Sequence, residues 1–285
     1  MQASECGSVM RKLKGKNRIR EFRQIAETLA SKVAKHRGVT GIVFIGGLTR
    51  GFADRHSDID IITLLTEKDE TLSKKLKKAG SDEQERSGID IDLEGHSLDD
   101  FRKRKWDEIF KWDMSHAKIV YDPKGDIQKL LSEKLSVSKV FWLKRITICG
   151  EYLKWYCCPP KDDAGTMVEA WVERGNMVSA HYCLSYALDL LVRIIFALNK
   201  EFLPAPKWRI FYSHNLKWLP TDYKKLLKEI ITIRSLSKHD LNRRMKALRQ
   251  IWQETLPKIK DETGLTPALI SKYYVEKVLH QTSAS

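Results

Sequence analysis

The stretch Phe44-Ile45-Gly46-Gly47-Leu48-Thr49-Arg50-Gly51-Phe52-Ala53-Asp54-Arg55-His56-Ser57-Asp58-Ile59-Asp60-Ile61 decides how this chain is read. It begins at the end of a short apolar, β-branched run, Val39 to Ile45, which predicts a buried strand running into a glycine turn. Adjacent glycines let backbone approach a ligand closely, and the exposed amides of such a turn can hold a phosphate. Asp58-Ile59-Asp60 then enters a second apolar run that ends at Leu65. Side chains alternate along a strand, so Asp58 and Asp60 share one face. Carboxylates that close repel one another, and burying them is costly unless a cation neutralises them. An all-oxygen donor set of this kind suits Mg²⁺ carrying the phosphates of a nucleotide. Gly46 and Gly51 also have the spacing of a P-loop, but Phe52 and Ala53 stand where a Lys and a Ser or Thr must meet phosphate and metal, which rejects that motif.

On the N-terminal side, Ile19, Phe22, Ile25, Ala26, Leu29 and Val33 recur at helical spacing and predict an amphipathic helix over residues 17–37, ending at Gly38. On the C-terminal side, Gly88 to Glu94 alternates strictly. Ile89, Ile91 and Leu93 fall on one face of the expected strand, and Asp90, Asp92 and Glu94 on the other. The charged segment 67–86 between these strands reads as a solvated helix or an excursion from the fold. From Ser97 the pattern turns helical, and Asp122-Pro123-Lys124-Gly125 makes a turn at which the domain boundary is placed. Apolar-periodic segments near 126–157, 166–199, 222–236 and 240–256 follow, broken by Cys158-Pro159-Pro160 and Pro204-Ala205-Pro206. The expected class is α+β, with a mixed-sheet domain over residues 1–125 and a helical bundle over 126–285.

Charge separates the classes of partner. The chain carries 51 Lys and Arg against 37 Asp and Glu, a net +14. The excess sits in two blocks, with ten basic against three acidic side chains in residues 1–40 and fifteen against five in 200–260. Such blocks attract polyanions, nucleotides and nucleic acids among them. The basic first twenty residues lack an apolar stretch, which is not the pattern of a secretory signal. No uninterrupted apolar run reaches the length of a membrane span, so a cytoplasmic protein without a membrane partner is expected. The cysteines at 6, 149, 157, 158 and 183 form no CxxC pair and read as packed or free thiols. His181 and Cys183, two apart on a helix, point to different sides and read as core and surface neighbours rather than joint metal ligands.

The order strand, Gly46-Gly47, ten residues, Asp58-Ile59-Asp60, then Ile89-Asp90-Ile91 resembles the DNA polymerase β-like nucleotidyltransferases. Arg50-Gly51 and Ser57 resemble the variant found in bacterial antibiotic (aminoglycoside and lincosamide) nucleotidyltransferases. The stretch Ala197-Leu198-Asn199, Pro204, Lys207-Trp208 and Trp218-Leu219-Pro220 is more loosely similar to their helical C-terminal domain. The resemblance implies Mg²⁺-dependent transfer of a nucleoside monophosphate to a hydroxyl with release of pyrophosphate. It implies two Mg²⁺ ions held by Asp58, Asp60 and a third carboxylate, with Asp90 as base and Asp92 as the alternative. Gly46, Gly47, Arg50 and Ser57 would hold phosphates, Lys207 would reach the triphosphate, and ATP is the expected donor among the NTPs.

A +14 chain disfavours a polycationic drug as acceptor and favours an anionic or neutral one, such as an RNA end, a protein hydroxyl or a small molecule. Glu169, Glu173 and Asp189 are the residues from which a local acidic groove could nevertheless be built. Two alternatives stand beside this reading. Arg209-Ile210-Phe211-Tyr212-Ser213-His214 has the Arg-x4-His form of the helical HEPN ribonucleases, and the same fold also serves non-catalytic RNA or nucleotide binders.

Overall fold

Phe22, Ala26, Leu29, Ala30 and Val33 fall on one side of α1 (Ile19–Val33), and that side is buried, as the spacing requires. The computed structural model describes residues 13–160 and 165–276. The chain divides into two compact units, the first through Ser136 and the second from Val137.

In the first unit α1 leads into β1 (Val39–Phe44), the single turn α2 (Gly47–Arg50), β2 (Ile59–Leu65), α3 (Glu70–Ser87), β3 (Ile91–Ser97), α4 (Leu98–Lys103), α5 (Glu108–Ser115), β4 (Lys118–Tyr121) and α6 (Asp126–Leu135). The strands form one mixed sheet in the order β3-β2-β1-β4. β1 runs antiparallel to both β2 and β4, whereas β2 and β3 are parallel and joined through α3. Apolar clusters cover both faces. Ile59, Ile61 and Leu65 meet α1 and α3 on one side, through Phe22, Ala26, Leu29, Leu72 and Leu76. Ile62 and Leu64 meet Phe101, Trp106, Met114, Ile127 and Leu130 on the other. Asp60 lies on this second face, at the end of the sheet where the apolar cover stops.

The segment 67–86, open between helix and excursion in the sequence, is α3. Asp69 caps it by accepting from the Leu72 amide at 2.8 Å, and buried Leu72, Leu76 and Gly80 hold it to the sheet. Gly88, at φ 67°, ends it, so β3 starts at Ile91, three residues later than the alternation alone suggests. The edge strand β4 was not expected. The first unit runs past the turn at 122–125 to include α6, whose Ile127, Leu130 and Leu131 belong to the apolar cluster over the sheet. Its contact is close: a Cβ at Gly41 would come within 2.4 Å of the Ile127 side chain.

The second unit is helical: α7 (Lys139–Tyr156), α8 (Met167–Glu173), α9 (Met177–Leu198), α10 (Pro206–Ser213), α11 (Tyr223–Ile231), α12 (Lys238–Thr263) and α13 (Pro267–Tyr274). By length and composition α9 could cross a membrane, but 72% of its apolar window is buried inside the unit, as befits a core helix. His181 and Cys183 are buried on it, and Tyr182 between them is 75% exposed. Cys149, Cys157 and Cys158 are buried thiols, and Cys6 lies outside the described residues.

The connection between α11 and α12 is held by charge. Arg243 donates to the Thr232 carbonyl at 2.6 Å and the Glu229 carbonyl at 2.8 Å, and Nε donates to Asp240 at 2.9 Å. Burial pushes the Asp240 carboxyl up, but the amides of Arg234 and Ser235 and the Arg243 guanidinium outweigh it and hold it at about 2. Asp240→Ala is expected to cost about 1–3 kcal/mol, because it removes a buried carboxylate that accepts from the Arg234 amide and the Arg243 guanidinium. Thermal unfolding checks this. The depressed carboxyl contributes fully above its unfolded value of 3.8, and that contribution disappears as pH falls through about 2.

Candidate active site

The turn after β1 is shaped by Gly46, whose backbone sits at φ 63°, ψ −142°. A Cβ there would lie 1.9 Å from Oδ2 of Asp60, so only glycine lets the turn rest on that carboxylate. The turn is braced from α1, where Arg23 donates to the Leu48 carbonyl at 3.1 and 3.0 Å. Asn17 stitches the following loop by donating to the Gly51 carbonyl and accepting from the Ala53 amide, both at 3.1 Å. Neither bracing residue is signalled by spacing in the sequence, since each reaches its partner only through the fold.

The carboxylates come from β2 and β3. The parallel register sets Asp60 opposite Asp92 and Ile59 opposite Ile91. Asp90 stands one pair earlier, before β3 begins, and its carbonyl accepts from the Ile59 amide at 2.9 Å. The Asp60 carboxyl is pushed up to about 7, chiefly by burial, then by the charges of Asp58 and Asp92. Arg50 opposes that rise and Asp113 adds to it. Asp92 is also raised, by burial and then by Asp90, Asp58 and Glu94. Asp58, Asp60 and Asp92 thus form a mutually repelling set on one face, an arrangement that favours a neutralising cation. Their donors are all carboxylate oxygens, which fits a hard divalent ion. Among the described residues no three His, Cys, Asp or Glu side chains already converge on one point. The fit to a metal is therefore one of donor type and shared face.

Arg50 is 7% exposed and pairs with Asp113 at 3.1 Å, with its guanidinium carbon 5.2 Å from the Trp112 ring centre. The nearby Asp54 is not its ion-pair partner here. That carboxylate accepts from the His56 amide at 2.9 Å and the Ser57 hydroxyl at 3.3 Å, while Ser57 Oγ accepts from the Asp54 amide at 3.0 Å. Ser57 thereby closes the turn that leads into Asp58. Asp113 and Trp112, brought in by α5, were not among the residues singled out from the sequence.

In the second unit Lys207 is exposed in the first turn of α10. The acids that could have lined a groove there are partly engaged. Glu169 caps α8 through Thr166 and pairs with Arg249 at 3.0 Å, and Asp189 is bridged by Arg193 at 2.7 Å and Arg209 at 2.8 Å. Arg209 is buried and also donates to the Pro204 carbonyl at 3.1 Å, so this arginine of the Arg-x4-His match serves packing.

Comparisons with known proteins cover different shares of the chain. A nucleotidyltransferase-like protein from Exiguobacterium sibiricum 255-15 is similar with a TM-score of 0.42 and 12% identity, over 84% of this chain and 77% of that one. A complex of tri-AMPylated Shewanella oneidensis HEPN toxin with MNT antitoxin contains a chain similar at 0.30 and 16% identity, over 45% of this chain and 97% of that one. A toxin-antitoxin structure with AMP-PNP gives 0.32 and 17%, over 44% and 96%. No curated protein matches the chain. Residues 20–119, which carry both glycines and all four aspartates, match the model of the nucleotidyltransferase domain, and this part of the chain is a nucleotidyltransferase domain of the polymerase β-like superfamily.

Proposed function

We propose that the protein transfers a nucleoside monophosphate, AMP from ATP, to an acceptor hydroxyl and releases pyrophosphate. The observation that carries this reading is the Asp58, Asp60 and Asp92 face directly beneath the Gly46 turn in a nucleotidyltransferase domain. Asp58, Asp60 and Asp92 would hold Mg²⁺, in two ions by resemblance to the family, and bound metal supplies charge neutralisation for the phosphates and the leaving pyrophosphate. The Gly46-Gly47 backbone admits the phosphate chain close to the sheet, and Arg50, fixed by Asp113 and Trp112, adds positive potential beside it. Lys207 is assigned to the triphosphate on resemblance alone.

The acceptor oxygen attacks the α-phosphorus, the bond from that phosphorus to the bridging oxygen breaks, and pyrophosphate leaves. A carboxylate on β3 takes the hydroxyl proton. We assign this base to Asp92 rather than Asp90, because the strand register sets Asp92 opposite Asp60. Catalysis is then positioning and electrostatics, with no protein nucleophile. The testing experiment incubates the protein and Mg²⁺ with each of the four NTPs labelled at the α-phosphate, against total tRNA, cell protein and small-molecule extract. Label transfer with stoichiometric pyrophosphate is expected, ATP being the best donor; no transfer from any NTP to any acceptor would refute the assignment.

A further inference from the structure

We propose that the second unit carries a self-association face, and that its occupant is a second copy of this chain seated on the exposed aromatic rows of α7 and α9. Every residue of this face lies beyond Ser136, so it stands whether or not the first unit transfers a nucleotide. Val178, Tyr182 and Tyr186 recur every fourth residue along α9 and so line one side of it. Ala180, Leu184, Ala187 and Leu191 take the buried side. Tyr182 is 75% exposed and Val178 64%, and Tyr186 is exposed as well. α7 packs along α9 and adds a second row, in which Tyr152 and Trp155 are exposed with ring centres 6.4 Å apart. Tyr156 joins the rows, its ring 5.2 Å from Trp155 and 4.9 Å from Tyr186. Burial, then the neighbouring Cys183, Tyr186, Tyr152 and Tyr182, push the Tyr156 phenol up, as befits hydroxyls gathered on one patch. Tyr274 of α13 extends the surface, 6.3 Å from Tyr152.

Charge selects the occupant. Between Met177 and Leu188 α9 has no Lys, Arg, Asp or Glu, in a chain of which 31% is charged. From Ile146 to Pro160 only Glu151 and Lys154 are charged, and they neutralise one another at 2.9 Å. A nucleic-acid strand would need unpaired basic side chains between the rings to hold its phosphates, and these stretches of α7 and α9 supply none. An anionic protein would gain more from the basic blocks elsewhere in the chain. Two copies of a +14 chain repel one another wherever their charged surfaces meet, so they approach most readily through a face without net charge.

The face can also match itself. A phenol both donates and accepts a hydrogen bond, so rows of tyrosines related by a twofold axis can pair with their own copies. Projection and recess occur together, for a cavity of about 580 Å³ opens beside Trp155, lined also by Pro160, Pro267 and Ala268. With about 200 Å² to each aromatic side chain, the exposed shares of Tyr152, Trp155, Tyr182 and Tyr186 come to roughly 400 Å². That is half of the about 800 Å² each partner gives to a stable interface, before Val178, Tyr156, Tyr274 and the rim are added.

Sedimentation velocity of the full chain between about 1 and 100 µM, at low and at high salt, tests this. Two copies are expected at the upper end of that range. Salt should leave the pair intact or tighten it, since it screens the repulsion of the two +14 chains and breaks no matched charges across the face. Tyr182→Glu sets like charges on both copies, and Trp155→Ala removes an aromatic anchor. Each is expected to weaken the pair by about tenfold or more, and Tyr182→Phe by much less. Both positions are exposed, so the fold should survive, and an unchanged unfolding midpoint in dilute protein would verify that. A single copy at every concentration overturns the inference and leaves the face to a different partner. So does a pair that folded Tyr182→Glu and Trp155→Ala leave intact, or one that falls apart as salt rises.

Discussion

Asp60→Asn is expected to abolish transfer and, in the metal-free protein, to raise stability at pH 8. Few catalytic substitutions should do both. Asp60 titrates at about 7 in the folded chain against 3.8 as an ordinary carboxyl, so between those values the folded state holds a proton that the unfolded state has given up. Stability of the metal-free protein therefore falls as pH rises from about 4, and the loss is complete above about 7. At 1.36 kcal/mol per pH unit the penalty is at most roughly 4 kcal/mol. Asparagine keeps the shape and removes the ionisation. Denaturant unfolding at pH 5 and pH 8 with EDTA should show the variant ahead of wild type at both, with its gain at pH 5 less than half of that at pH 8. Mg²⁺ should reverse the order, because it stabilises the ionised wild-type set and has less to hold in the variant. A variant less stable than wild type at pH 8 without metal would contradict the repulsion between Asp58, Asp60 and Asp92.

The second large effect concerns the base. Asp92→Asn is expected to lower the chemical step by about 10²–10⁴-fold, the usual contribution of a positioned proton acceptor. Asp90→Asn should cost less than about tenfold in that step, because Asp90 precedes the paired stretch of β3 and is not the register partner of Asp60. Single-turnover transfer isolates the chemistry from binding. If Asp90→Asn proves the damaging change and Asp92→Asn the silent one, the assignment from the strand register is wrong. Asp58→Ala should also abolish transfer without lowering stability, since it removes one of the charges that raise Asp60.

Local features of the site were legible in the sequence, and those that depend on distant pairing were not. Gly46-Gly47 and Asp58-Ile59-Asp60 announce themselves because a glycine turn and two acids on an apolar strand conflict with ordinary packing. The choice between Asp90 and Asp92 could not be read, because both lie on the same face and only the parallel register, reached across the whole of α3, sets one of them opposite Asp60. Alternation found the right face of β3 but misplaced its start, since the left-handed cap at Gly88 belongs to the helix before it. β4 went unseen because it is four residues long, begins with exposed Lys118 and has no fully buried residue to mark it. Asn17, Arg23, Trp112 and Asp113 act at the site from α5 or the α1 region, and no pattern around them distinguishes them from surface polar residues and core aromatics.

The two ends of β2 differ in what they can tolerate. Asp58 and Asp60 mark one end, and the exposed loop Thr66-Glu67-Lys68 leaves from the other, about 20 Å away along a seven-residue strand. Extra residues placed in that loop do not alter the pairing upstream, whereas one residue added within the strand would bring Ile91 or Leu93 where Asp92 now faces Asp60. The loop is thus a natural point for splicing in a fluorescent reporter or an affinity handle. An engineered fusion there would keep a working enzyme on a surface while its substrates still reach the far end of the sheet.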